Sequence, residues 1–251
     1  MLGQLQTALR LIYPPRCTIC GAMVESDFGL CGPCWRDTPF ISGLICDACG
    51  LPLPGDSDGT VEFCDDCLRW PRPWVQGRAP VLYQDNGRQI VLQLKHADRH
   101  EVVHPAGLWM TNAARDILRD DMVVAPVPLH WSRMLRRRFN QAALLARAVA
   151  RNTGLDFCPD LLWRQRRTRS LEGLGREERH AVLADAIGVQ KRHAPKVVGR
   201  SVLLVDDVMT SGATLSAATQ ACQAAGADHV CVLVLARVAK DDYIAPETDQ
   251  G

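Results

Sequence analysis

The sequence predicts an α/β fold built on a parallel sheet and preceded by a small metal-stabilised module, and three features carry that prediction. The run Val202-Leu203-Leu204-Val205 is branched and apolar throughout, which suits a strand buried on both faces of a parallel sheet. From residue 81 to 236, segments with strand and helix periodicity alternate, the order of a sheet covered by helices on both sides. Before residue 70, eight of the eleven cysteines form four C-x-x-C pairs: Cys17/Cys20, Cys31/Cys34, Cys46/Cys49 and Cys64/Cys67.

A chain of 251 residues accommodates one α/β domain and an appended module. The expected division is 1–70 for the cysteine module with a short N-terminal amphipathic helix (Leu2, Leu5, Leu9, Ile12), 71–80 for a linker, 81–240 for the α/β domain and 241–251 for a flexible tail. Pro71, Pro73 and Pro80, interleaved with Trp70, Trp74 and Gly77, mark the linker. No run of eighteen apolar residues occurs, so no membrane span is expected. The first residues lack the basic start and long apolar run of a signal peptide, and a cytoplasmic location is the expectation.

Within the second domain, Val81 to Tyr83 reads as a strand, followed by a helix through Ile90, Val91 and Leu94 and another with Trp109, Ala113 and Ile117 on one face. Met122 to Ala125 is a strand. Ala142, Leu145, Ala146, Val149 and Ala150 share a helical face closed by Gly154, and Leu215, Ala218, Cys222 and Ala225 share another that stops at Gly226. Val230 to Ala236 is continuously apolar and is expected to lie centrally. Cys158, Cys222 and Cys231 read as small core residues rather than nucleophiles.

A C-x-x-C pair brings two thiolates to one tetrahedral Zn²⁺, and two pairs close a Cys₄ site with no open coordination position. Disulfides and thioredoxin-like redox pairs are the competing readings; a reducing compartment disfavours the first, and redox motifs come singly. The module is also a repeat: C-T-I-C-G at 17–21 recurs as C-D-A-C-G at 46–50. Two structural zincs follow, with sequential pairing preferred (Cys17, Cys20, Cys31, Cys34; Cys46, Cys49, Cys64, Cys67) and crossed pairing open. Residues 1–70 hold four Arg against nine acids, and eight thiolates on two Zn²⁺ add formal charge of the same sign. Such a surface repels phosphates, so the metals read as a substitute for a core too small to fold alone, with protein docking as the second reading.

After Val205 come Asp206-Asp207-Val208-Met209 and then Thr210-Ser211-Gly212-Ala213-Thr214 at the start of a helical pattern. Unpaired N–H groups and the helix dipole favour a phosphate there, hydroxyls add donors, and glycine admits close approach. Two carboxylates beside a phosphate need another task, and accepting hydrogen bonds from ribose hydroxyls is the obvious one. A plain strand-loop-helix with an acidic cap is the structural alternative. The stretch resembles the phosphoribosyl diphosphate (PRPP) signature of type I phosphoribosyltransferases. That resemblance implies Asp206 and Asp207 on the ribose and Thr210, Ser211, Gly212, Ala213 and Thr214 on the 5′-phosphate, with Mg²⁺ accompanying PRPP. Relatives with the same signature bind nucleotides without catalysing transfer.

Between Cys17 and Arg237 the chain resembles the ComF family, a double zinc ribbon followed by a type I phosphoribosyltransferase-like domain. The features that carry this are the cysteine repeat, Lys95 in L-K-H, P-V-P-L at 126–129, R-x-F-N-Q at 137–141, Glu172-Gly173-Leu174 with Arg179, and the PRPP loop. It implies a part in natural competence and in the uptake or processing of imported DNA. DNA-uptake proteins and single-stranded DNA are the implied partners. Lys95, Arg137, Arg138, Asn140, Gln141 and Arg179 become candidate contacts for pyrophosphate or nucleic acid. Arg138, Leu171 and Val182 stand where the family has glycine, glutamine and asparagine, which leaves PRPP binding with weak or altered transfer as one reading. Residues 130–180 hold twelve Arg against five acids. Clusters such as Arg133/Arg136/Arg137/Arg138 and Arg164/Arg166/Arg167/Arg169 read either as a solvated face or as guanidinium forks for phosphate oxygens.

Overall fold

Two branched apolar strands with opposite side chains buried on two layers organise the protein. A computed structural model describes residues 15–24, 29–95, 100–129, 139–165, 175, 178, 182–183 and 185–239. The strands are β1 (Gly77–Arg78), β2 (Val81–Leu82), β3 (Val123–Pro126), β4 (Asp156–Phe157), β5 (Leu162–Arg164), β6 (Ile187–Val189), β7 (Ser201–Met209) and β8 (His229–Arg237). The helices are α1 (Gly32–Arg36), α2 (Asp65–Arg69), α3 (Asp85–Leu94), α4 (Val103–Ala113), α5 (Gln141–Thr153) and α6 (Ala213–Ala224). The main sheet is parallel, in the order β1-β8-β7-β3-β4, with β2 also paired to β8; β5 and β6 form a separate antiparallel pair. The parallel α/β expectation holds.

Alternation along the strands sorts the core. Leu203, Val205, Cys231, Leu233 and Leu235 face α3, α4 and α5, whereas Val202, Leu204, Val230, Val232 and Val234 face α6 and the β5–β6 pair. The last apolar strand is interior as expected, although β7 holds the middle position. The helix with Trp109 ends at Ala113 and continues as turns, so buried Ile117 packs from outside it.

The cysteine module clamps both faces of this sheet. Cys17, Leu30 and Cys34 join the core on the α3–α4–α5 side, where Trp35 and Phe40 meet Trp109 edge to face at ring-centroid distances of 6.2 and 5.4 Å. All four cysteines from 46 to 67 join the opposite core. The stretch 71–80, expected as a linker, is packed: Trp74 is buried, Gly77 and Arg78 pair with Val232 and Leu233, and Arg78 is held by Asp47 and Asp116. Its prolines break the edge strand into β1 and β2 rather than releasing it, because Pro80 lacks a donor for the ladder. The expected N-terminal helix and C-terminal tail lie outside the described residues, and no helix among those described is long and apolar enough to cross a membrane.

Topology locates the site. From β3 the chain runs through α5 outward to β4, then returns to β7 on the other side of β3 and leaves through α6 on the opposite face. The carboxyl ends of β3 and β7 therefore flank a topological switch point, where open α/β sheets receive ligands.

Candidate functional site

β7 runs through Asp206 and Asp207 to Met209, so both carboxylates lie within the strand, two residues before the loop. Both are partly buried. The Asp207 N–H donates to Asp206 Oδ1 at 2.8 Å, and Lys95 Nζ, at the end of α3, stands 3.8 Å from Asp207 Oδ2. Burial and the neighbouring Asp207 push the Asp206 carboxyl well above the ordinary carboxylate range, against the opposing pull of that N–H and of Arg164. The ionised form of Asp206 thus opposes folding. The favourable contribution of the protonated form is complete below the unfolded carboxylate pKa of about 3.9 and is lost as pH rises through the raised folded value. Asp206→Asn is expected to raise Tm by a few degrees at pH 8, at about 2–4 °C for each kcal/mol in a protein of this size, with the gain shrinking toward pH 4. Thermal melts across pH check this; a constant gain would contradict it.

The loop that follows is held from behind by two buried arginines. Arg237 Nη1 donates to the carbonyls of Met209 (3.2 Å) and Thr210 (3.1 Å), and Arg72 Nη1 donates to that of Ser211 at 2.6 Å. A trans peptide sends its N–H opposite its carbonyl, so the N–H groups of Thr210, Ser211 and Gly212 point away from the guanidiniums. Gly212, at φ +79°, then turns the chain into α6. Successive N–H groups around a left-handed residue at a helix start form a concavity for an anion. Ser211 Oγ lies 3.4 Å from the Ala213 N–H, leaving a hydroxyl at the same rim.

The residues suggested by the resemblance separate into groups. Lys95 joins the acidic pair. Asn140 caps α5: its Oδ1 accepts from the Ala142 N–H at 3.1 Å and its Nδ2 donates to the Val127 carbonyl at 3.1 Å, which fixes the P-V-P-L turn. Gln141 is 1% exposed, with no hydrogen-bond partner for its amide among the described residues. Arg164 reaches the same turn through Pro128 O at 3.2 Å. Arg137, Arg138, Arg179, Leu171 and the remaining members of the arginine clusters lie outside the described residues; Val182 is half-buried. Arg72 and Arg237 were missed because the carbonyls they hold are distant in sequence. The available signals were a polar residue closing an apolar strand at 237 and an arginine between two prolines just after a C-x-x-C pair.

The cysteines group as Cys17, Cys20, Cys31, Cys34 and as Cys46, Cys49, Cys64, Cys67, the sequential pairing. Cys20 and Cys31 Sγ are 3.6 Å apart and Cys49 and Cys64 Sγ 3.7 Å, against about 3.8 Å between sulfurs on a tetrahedral zinc with bonds of about 2.3 Å. The donor set therefore fits zinc. Gly21 and Gly50 take φ of +75° and +68° in the two knuckle turns, as the repeat predicts. Cys158, Asp160 and His193 also meet, but Arg192 already pairs with Asp160. Cys222, pushed up to about 12 by burial, is an inert core thiol.

A cavity of about 1060 Å³ opens between the second cysteine cluster and the loop. Leu51, Leu53, Phe63 and Trp70 give it apolar and aromatic walls, and Thr210 and Ser211 form its edge.

The double zinc ribbon domain family matches residues 8–68, and the phosphoribosyl transferase domain family matches residues 142–247. The chain is 29% identical over 239 residues to DNA utilization protein YhgH of Escherichia coli K12, spanning 90% of this chain and 99% of that protein. Competence protein F of Haemophilus influenzae is 27% identical over 230 residues (88% and 96%), and competence protein ComFC of Bacillus subtilis 25% over 201 (77% of each). Among solved structures, a hypoxanthine phosphoribosyl transferase of Trypanosoma cruzi aligns at 17% identity and a TM-score of 0.35, over 65% of this chain and 72% of that one.

Proposed function

Because the chain belongs to the ComF family, a double zinc ribbon joined to a phosphoribosyltransferase domain, we propose that it is a PRPP-binding protein of the cytoplasm that serves natural competence or the use of imported DNA. One observation carries the ligand: a glycine-turned loop whose carbonyls are held back by Arg72 and Arg237, directly after two carboxylates at a switch point. In this reading the 5′-phosphate takes the N–H groups of 210–214 and the hydroxyls of Ser211 and Thr214. Asp206 and Asp207 accept from the ribose hydroxyls, the pyrophosphate extends toward Lys95, and the arginines at 137, 138 and 179 are its further candidate contacts by resemblance. Mg²⁺ comes with PRPP; oxygen donors at Asp206 and Asp207 suit a hard cation or its waters, and the ion supplies charge neutralisation on the pyrophosphate.

Transfer would displace pyrophosphate from the ribose C1 by an acceptor, with arginine and lysine stabilising the leaving charge. The walled cavity beside the loop is the proposed acceptor seat. A second reading, PRPP binding that alters affinity for single-stranded DNA or a partner without turnover, is favoured by Leu171 and Val182 in place of the family's amides.

Calorimetric titration of PRPP with Mg²⁺ into zinc-loaded protein is expected to give saturable binding. Asp206→Asn/Asp207→Asn should weaken it more than about 100-fold, since hydrogen bonds to charged groups contribute about 1.5–3 kcal/mol each. Absence of binding to folded protein, or equal binding by the variant, refutes the assignment. Pyrophosphate release on adding candidate acceptors separates the two readings.

A further inference from the structure

We propose that the second zinc site and the phosphate loop are thermodynamically linked, with Arg72 as the positioning residue that joins them; this rests on reading residues 210–214 as the phosphate seat. The Arg72 side chain is 2% exposed and spends its donors in three directions. Nη1 reaches Ser211 O at 2.6 Å, Nη2 reaches Asp66 Oδ2 at 2.7 Å, and Nε reaches Cys67 Sγ at 3.3 Å. Asp66 and Cys67 both belong to α2, the short helix that presents the last zinc ligand. The guanidinium also lies 5.6 Å from the Trp74 ring centre, and Trp74 donates to the Ala48 carbonyl inside the second knuckle.

A five-residue helix has little stability of its own, so the metal at Cys46, Cys49, Cys64 and Cys67 is what fixes α2, and through it the guanidinium. The loop is in turn shaped by what α2 holds in place. A Cβ on Gly212 would come within 2.9 Å of Trp74 Cη2 and 3.2 Å of Arg72 Nη1, so those two side chains form the wall against which the loop turns. The first zinc site has no such connection among the described residues; its cysteines pack toward the opposite face of the sheet. Linkage is reciprocal: whatever factor zinc at the second site adds to ligand affinity, the ligand adds to zinc affinity.

The test uses the full-length, zinc-loaded protein with Arg72→Ala, Arg72→Lys and, as control, Arg36→Ala in the corresponding helix of the first ribbon. Hydrogen exchange of the peptide covering 209–214 in the absence of ligand is expected to quicken at least 10-fold in Arg72→Ala and to stay unchanged in Arg36→Ala. Zinc loss to a chelator should slow at least 10-fold in wild-type protein when PRPP and Mg²⁺ are added, for one of the two metals, and this protection should vanish in Arg72→Ala. Arg72→Lys keeps the cation without the three-way fork and should fall with Arg72→Ala; it supplies the answer if the alanine variant does not fold. Wild-type exchange at 209–214 in both Arg72 variants overturns the proposal. So does PRPP binding that leaves both zinc-loss rates unchanged. If wild-type protein binds no PRPP, the ligand assignment fails, while faster exchange at 209–214 on removing the second zinc still reports the coupling.

Discussion

Cys49→Ser is expected to cost the protein one zinc and at least about 3 kcal/mol of stability, a fall in Tm of roughly 6–12 °C at this size, whereas Cys20→Ser costs a fraction of that. The chemistry removed is the same in both, and the surroundings differ. Cys49 is fully buried in a core that also holds Val232, Val234 and Ala218, so losing its metal strands thiols in the interior. Cys20 is exposed and Cys31 only half-buried, so that side of the first site can rehydrate when it empties, whereas all four cysteines of the second are buried. Metal-to-protein ratios and thermal melts of the two variants check this. Equal losses would mean that the second ribbon is no more integral to the sheet than the first.

Gly212→Val is expected to abolish measurable PRPP binding, a loss above about 100-fold, and to lower Tm. A β-branched residue at φ +79° carries backbone strain of about 1–3 kcal/mol, and its Cβ meets the buried Trp74, which has no room to yield. Relief by straightening the turn would swing the N–H groups of the loop off their common focus, so strain and lost affinity come together. Calorimetry beside thermal melts distinguishes this from simple unfolding. Wild-type affinity in a folded Gly212→Val protein would remove the loop from the ligand site.

Much of this arrangement is local and therefore readable. Continuous burial of the apolar runs in β7 and β8, the helices around Leu145 and Leu215, and the spacing of the cysteines are properties of neighbouring residues, and each is where it was expected. What the chain conceals is what long-range packing does with residues whose local context is bland. Arg72 lies 139 residues from the carbonyl it holds, in a proline-rich stretch that composition alone marks as a linker. Asn140 looks like a ligand contact by resemblance, yet its side chain is occupied with the first turn of its own helix and with Val127.

That order has a consequence for how the molecule is made. The edge segment of residues 77–82 finds its parallel ladder partner in β8, the last of the described strands, which leaves the ribosome some 150 residues later. At about 5–20 residues per second, the interval is roughly 10–30 s. Throughout it, the sheet faces on which both ribbons finally rest are incomplete, because β7 and β8 supply much of each. Pairings of such long sequence separation form slowly even in a complete chain. The newborn N-terminal segment therefore depends on captured metal for its order well before the loop it will support has been synthesised.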